Sequence, residues 1–335
     1  MMSNMRKPLP NCNKEEKNKM DNSLKKVPPR DGYGKGLLEL CAARSNVIVL
    51  DADVAKSTRT NWVEEKFPEK FLNMGISEQD MVGTAAGLAL GGMTPFISTY
   101  GVFLSGRAWD QIRTTVCYND LNVKFGGAHA GISVGPDGAT HQALEDIAII
   151  RVLPNMTLIA PCDWIEVKKA TIAAADWPGP VYLRFGREAI PVITDEDTPF
   201  EIGKARTLRN GSDVAVIACG AMVYEALMAA DLLAAEGIQA EVINLHTIKP
   251  IDESTIVAAA KKCKAVVTAE EHQLFGGMGG AVAEILAKAC PVPMEMIGIE
   301  DTFGESGDPD ELMTAYGLTR KEILEAAKKA VARKA

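Results

Sequence analysis

The sequence predicts an α/β protein built as two three-layer α/β/α domains, and three observations carry that expectation. At 335 residues the chain exceeds one ordinary domain and accommodates two, each able to bury its own core. From Val47 onward, short β-branched apolar runs alternate with amphipathic or small-residue helical stretches, which is the signature of a largely parallel sheet covered by helices. The alternation stops at Asp195-Glu196-Asp197-Thr198-Pro199, an acidic, proline-containing stretch, and resumes at Asp213. The division expected is therefore 1–27 as a disordered leader, 28–195 as a first domain and 196–335 as a second, smaller one.

Strands are expected in the first domain at 47–50, 70–73, 94–99, 122–126, 157–160 and 181–184, where β-branched and aromatic residues cluster between turn signals. Helices are expected near 36–44, 79–91, 103–118, 142–150 and 163–175. The second domain opens with a strand at 213–218, then a helix at 221–236 closed by Gly237 and a strand at 240–245. Strands at 265–269 and 294–299 follow, with helices near 253–262, 279–289 and 320–333. Residues 1–27 are polar and lack the apolar run of a signal peptide.

Composition narrows the function. The formal charge of −8 argues against nucleic acid as a partner while leaving room for a local basic pocket. The most apolar stretch, 81–97, is interrupted by Gly, Thr and Pro95, so no membrane span is expected. Seven scattered cysteines with no C-x-x-C pair point to reduced thiols in a cytoplasmic protein and to no metal knuckle.

Three segments could carry chemistry. In Asn73-Met74-Gly75-Ile76-Ser77-Glu78-Gln79 a strand gives way to a helix that Ser77 is placed to cap, and Glu78 complements the helix dipole. That helix is nearly uncharged to Gly92, so it is expected to be buried all round, setting the carboxylate beside a buried surface suited to proton transfer. In Ser98-Thr99-Tyr100-Gly101-Val102-Phe103 a strand delivers two aromatics to its carboxyl end, as plain core or as a platform for a flat heterocycle. The loop Gly126–Gln142 gathers His129, Asp137 and His141 among glycines, a setting for hydroxyls, carbonyls or phosphate, and its spacing matches no metal-ligand motif. Gly276-Gly277-Met278-Gly279-Gly280 is not a dinucleotide fingerprint, and His246 and His272 read as structural.

Taken together, Gly75-Ile76-Ser77-Glu78-Gln79, Ser98-Thr99-Tyr100 to Phe103, and Gly135-Pro136-Asp137-Gly138-Ala139-Thr140-His141-Gln142 resemble the transketolase family, in that order. Pro154-Asn155-Met156, Thr247-Ile248-Lys249-Pro250-Ile251-Asp252 and Glu270-Glu271-His272 extend the resemblance over roughly residues 28–333. It implies the pyrimidine-binding and C-terminal domains of a split transketolase, moving a two-carbon ketol unit from a ketose phosphate to an aldose phosphate through thiamin diphosphate. Family members hold the diphosphate and Mg²⁺ through a Gly-Asp-Gly motif and a following Asn in an N-terminal domain; no Gly-Asp-Gly occurs here. The resemblance therefore implies a separate N-terminal-half partner subunit that supplies diphosphate and Mg²⁺ binding. It also implies self-association of this chain, as in an α2β2 assembly.

By the same resemblance, Glu78 matches the glutamate that bonds N1′ of the aminopyrimidine, and Tyr100 and Phe103 match aromatics around that ring. Gly106 stands where a third aromatic is usual. His129 and His141 match catalytic and sugar-contacting histidines, and Asp137 matches a reader of hydroxyl configuration. Arg30, Ser57 and Arg187 match substrate-phosphate positions, and Asp53 matches a cofactor-side or interface position. Two alternatives stay open: half of a 1-deoxy-D-xylulose-5-phosphate synthase-like enzyme, against which His129 counts, and a non-catalytic regulatory subunit of the same fold. The β subunit of a 2-oxoacid dehydrogenase fits Asp137–His141 less well.

Overall fold

A computed structural model of the chain describes residues 24–334. The leader segment 1–27 lies outside the described residues as far as residue 23, and its end differs from expectation. Lys26–Val27 form β1, which pairs antiparallel with β8 (Ile190–Pro191) and ties the chain start to the end of the first domain.

The first domain is built on a seven-stranded sheet. Its strands are β2 (Val47–Asp51), β3 (Phe71–Asn73), β4 (Thr94–Tyr100), β5 (Lys124–Ala128), β6 (Thr157–Ile159), β7 (Val181–Arg184) and β12 (Thr247–Lys249), in the order β12-β6-β7-β5-β4-β2-β3. All pairs are parallel except β12 with β6. Strands β4 and β5 are buried or nearly so along their length because helices cover both faces, which is why they read as continuous apolar or small-residue runs. Helices Pro29–Ala43 and Trp164–Asp176 pack on each other over one face, with Gly32 and Gly36 allowing close contact. Helices Glu78–Leu90 and Gly101–Arg107 cover the other.

The second domain carries β9 (Arg206–Arg209), β10 (Val214–Ala218), β11 (Ala240–Asn244), β13 (Val266–Gln273) and β14 (Met294–Ile299) in the order β14-β13-β10-β11-β9, parallel except for β9. Helices Glu253–Cys263 and Arg320–Ala332 start at side-chain caps: Asp252 accepts from Thr255 N at 3.1 Å and Thr319 from Lys321 N at 3.2 Å.

Several expectations change. The first helix begins at Pro29, so Arg30 lies in its first turn rather than on a loop. The single helix expected over 103–118 is three pieces, Gly101–Arg107, Trp109–Gln111 and a π-helical Ile112–Cys117. The helix near 142–150 starts only at Asp146, because Gln142 spends its amide on Ile132 O and Glu305 O. Strands β9 and β12 were not expected. The second of these is contributed by the second domain to the sheet of the first, so the hydrogen-bonded sheets interlock across the boundary at 195. Ser77 does not cap its helix; its hydroxyl donates to Met74 O at 2.6 Å. Nor is helix Glu78–Leu90 buried all round, since Gly83, Gly87 and Leu90 are exposed. Among the described residues no helix is long and apolar enough to cross a membrane.

Candidate active site

Because β2, β3, β4, β5 and β7 run parallel, the segments leaving their carboxyl ends converge on one edge of the sheet, the edge where open α/β sheets bind ligands. Ser57 follows β2, Glu78 follows β3, Tyr100 ends β4, His129 follows β5 and Arg187 follows β7.

An aromatic wall forms the centre. Tyr100 stacks on His129 with ring centroids 4.2 Å apart and on Phe103 at 5.9 Å. His141 meets both edge-on, at 5.8 Å from Tyr100 and 5.2 Å from Phe103. Glu78 is 4% exposed, and its Oε1 accepts from Arg107 Nη1 at 3.0 Å, while the Arg107 guanidinium lies 4.0 Å over the Phe103 ring. Arg107 carries no local signal in the sequence, standing next to Gly106; a β-carbon at Gly106 meets nothing within 4 Å, so that wall is open. A flat nitrogenous group that stacks on Phe103 and bonds Glu78 is what the pocket holds in Arg107, and an aminopyrimidine offers the same two contacts. The residues present therefore fit such a ring.

Beside the wall lies a basic group. Tyr100 donates its hydroxyl to Ser57 Oγ at 3.1 Å, and Arg30 donates to Ser57 O at 3.2 Å. Arg187 donates to Val134 O and to Asp137 Oδ1, both at 3.2 Å, joining two expected site residues. Burial, followed by the charges of Arg59 and Arg187, lowers the Arg30 pKa. His129 is buried with positive φ of 56°; burial and then Arg30 and Arg187 push its imidazole down to about 3, so it is neutral near pH 7. Its Nδ1 and Arg30 Nε are buried with no hydrogen-bond partner. Orphaned polar atoms of this kind are costly unless a ligand completes them. His141 Nδ1 is engaged with Thr140 Oγ1 at 2.8 Å.

Asp53 is not drawn into this network. It is exposed, at φ 64°, and accepts from Asn73 Nδ2 at 3.2 Å. Arg59, unremarked in the sequence, stands close enough to act on both Arg30 and His129. Among the described residues no group of three His, Cys, Asp or Glu side chains is arranged to hold a metal ion.

Comparison with known proteins agrees along most of the chain. Residues 25–192 match the family description "Transketolase, pyrimidine binding domain" and residues 203–323 match "Transketolase, C-terminal domain". A putative transketolase C-terminal section from Methanocaldococcus jannaschii is 48% identical over 308 residues, covering 90% of this chain and 96% of the relative. A 1-deoxy-D-xylulose-5-phosphate synthase from Trichormus variabilis is 41% identical, covering 88% of this chain but 47% of that protein. A solved structure described as a split gene transketolase in an inactive beta4 tetramer superposes with a TM-score of 0.87 at 45% identity, covering 92% of this chain and 100% of that one. Two family domains in the family's own order, with a relative nearly half identical along almost its whole length, lead to one conclusion: the chain belongs to the transketolase family.

Proposed function

We propose that this chain is the pyrimidine-binding half of a split transketolase that transfers a two-carbon ketol unit between sugar phosphates together with an N-terminal-half subunit. The observation that carries this reading is the buried Glu78 beside a Phe103 face, joined by the Tyr100–His129 stack to a group of arginines. When bound, thiamin diphosphate supplies the electron sink for the cleaved carbon–carbon bond. Glu78 would hold N1′ of its aminopyrimidine, and Tyr100 and Phe103 would pack the ring. His129, neutral at working pH, can accept or donate a hydrogen bond at a substrate hydroxyl, with His141 and Asp137 oriented on the same sugar. Arg30, Ser57 and Arg187 would hold the substrate phosphate, an anion that suits forked guanidinium donors. Asp53, outside this network, is assigned to the cofactor side or to a subunit contact. No Gly-Asp-Gly occurs in the sequence, so diphosphate and Mg²⁺ are assigned to the partner subunit.

Assembly is part of the reading. Helix Glu78–Leu90 exposes Gly83, Gly87 and Leu90, a smooth strip on which a second copy can seat its own backbone closely, so an α2β2 complex in the cytoplasm is proposed. The test is to co-purify the native complex and assay it with Mg²⁺, thiamin diphosphate, xylulose 5-phosphate and ribose 5-phosphate. Ketol transfer that disappears in Glu78→Ala supports the reading, and an unchanged rate in that variant overturns it. The similarity to a 1-deoxy-D-xylulose-5-phosphate synthase favours a second reading, which product formation from pyruvate and an aldose phosphate would reveal.

A further inference from the structure

The turn after β2 is held with more force than a surface loop requires. Asp51, wholly buried at the end of β2, accepts from Val54 N at 2.7 Å, Thr58 Oγ1 at 2.7 Å and Thr60 Oγ1 at 2.8 Å. Those three bonds fix the short helix Ala55–Thr58 and so fix the direction in which Arg59 leaves it. Arg59 does so at φ 70°, a left-handed conformation uncommon for residues with a β-carbon. The facing helix makes room for it at Gly34, where an added β-carbon would stand 2.6 Å from Arg59 Cβ.

Its guanidinium is only partly used. Nε donates to Asp31 Oδ1 at 2.7 Å and Nη1 to Lys56 O at 3.0 Å, while Nη2 has no partner among the described residues. Arg30, adjacent to Asp31, donates to Ser57 O, the carbonyl next to the one Arg59 takes. The two guanidiniums thus grip neighbouring carbonyls of one short helix. Arg187 bears electrostatically on the same place, since both it and Arg59 act on Arg30 and on His129. Asp31 partners Arg59, and Asp137 with Glu188 partners Arg187, whereas Arg30 has no carboxylate within ion-pair distance among the described residues. The carboxylates match the guanidiniums in number but not in donors: Arg30 Nε is buried without a partner and Arg59 Nη2 is unclaimed among the described residues, so two forks are left with N–H groups for an anion. A phosphate dianion, with three oxygens to share among forked donors, is the group that matches.

We propose that Arg59 is a third guanidinium of the substrate-anion subsite and sets its preference for a doubly charged terminal phosphate over an uncharged sugar end. The inference deepens the ketol-transfer reading and rests on it for the identity of the phosphorylated substrate. Two measurements on Arg59→Ala and Arg59→Lys test it. Inorganic phosphate binding to the full chain, followed by calorimetry, needs neither partner nor turnover; Arg59→Ala is expected to weaken it by about tenfold, with Arg59→Lys in between. In the assembled complex, the ratio of kcat/KM for a ketose phosphate to that for the same ketose without phosphate should fall by about tenfold in Arg59→Ala. Phosphate affinity and substrate ratio both unchanged, or equal losses with both donors, would make Arg59 a structural salt bridge and overturn the proposal. Arg59→Lys keeps the charge and the aliphatic stem, so a defect shared with Arg59→Ala is not a folding failure if its melting curve is native. A complex that moves no ketol unit from any donor, in which Arg59→Ala still weakens phosphate binding, would sink the functional reading and leave the arginine subsite standing.

Discussion

Two polar clusters sit at carboxyl ends of strands in this chain, and they differ in how completely they are satisfied. Around Glu78 and His129, the His129 Nδ1 and Arg30 Nε are buried without partners and Arg107 covers Glu78 from a half-exposed position. Along the seam between the domains the carboxylates and the guanidinium are closed off. Glu270 accepts from Met278 N at 2.7 Å and Gly279 N at 2.8 Å, and Glu271 accepts from Ser133 N at 2.6 Å. Arg184 pairs with Asp146 at 2.9 Å and donates to Ala143 O and Glu271 O. Burial pushes the Glu270 and Glu271 pKa values up, and backbone donors oppose it. A buried ion cluster closed in this way is a fastening, whereas the orphaned His129 Nδ1 and Arg30 Nε leave polar atoms beside the aromatic wall that a ligand can complete.

Substitutions can break or sharpen that contrast. The largest expected effect is on activity: Glu78→Gln in the assembled complex should lower kcat by about 10³-fold, read by steady-state assay, with the urea midpoint of the isolated chain little changed. The seam should behave oppositely. Asp146→Ala strands a buried Arg184 and should cost about 3–5 kcal/mol by urea unfolding, whatever it does to turnover. Gly277→Ala is a milder break of the same seam. Its β-carbon would stand 2.4 Å from Glu270 Oε2, so a loss of about 1–3 kcal/mol is expected in the same measurement.

The smallest effect concerns pH. The unfolded His129 titrates near ~6.5, and the folded one is held down to about 3, so between those values the unfolded chain binds the extra proton. The neutral imidazole's contribution is therefore complete above the unfolded value and is lost as pH falls, by roughly 1 kcal/mol at about pH 5.5. His129→Gln should flatten this acid limb in urea midpoints collected from neutral to acid pH; an identical slope would show that another group carries it.

Much of the site was legible because its residues sit in short segments whose local pattern is distinctive. Glu78 opens a helix after a strand, Tyr100 and Phe103 close another strand, and His129, Asp137 and His141 share one glycine-rich loop. Arg107 and Arg59 were not legible, since an exposed-looking arginine in a helix and another in a turn have no local mark; only their partners, Glu78 and Asp31, give them meaning. The Gly276–Gly280 run cradles Glu270 through Met278 N and Gly279 N, a purpose with no local mark because it depends on β13 ending against it. His272, read as structural, accepts from Ala148 N at 3.3 Å and engages Gln273 O at 2.7 Å, partners on two different domains.

The amino-acid pattern alone determined the α/β class and the family, because these depend on periodicity and on contiguous motifs that need no long-range contact. Tertiary structure alone decided that β12 crosses into the first sheet, that Arg107 covers Glu78, and that Arg30 and Arg59 grip neighbouring carbonyls of one short helix. Those facts are set by which strand ends the parallel sheet brings together. Residues far apart in the chain become neighbours there, and local sequence carries no record of it.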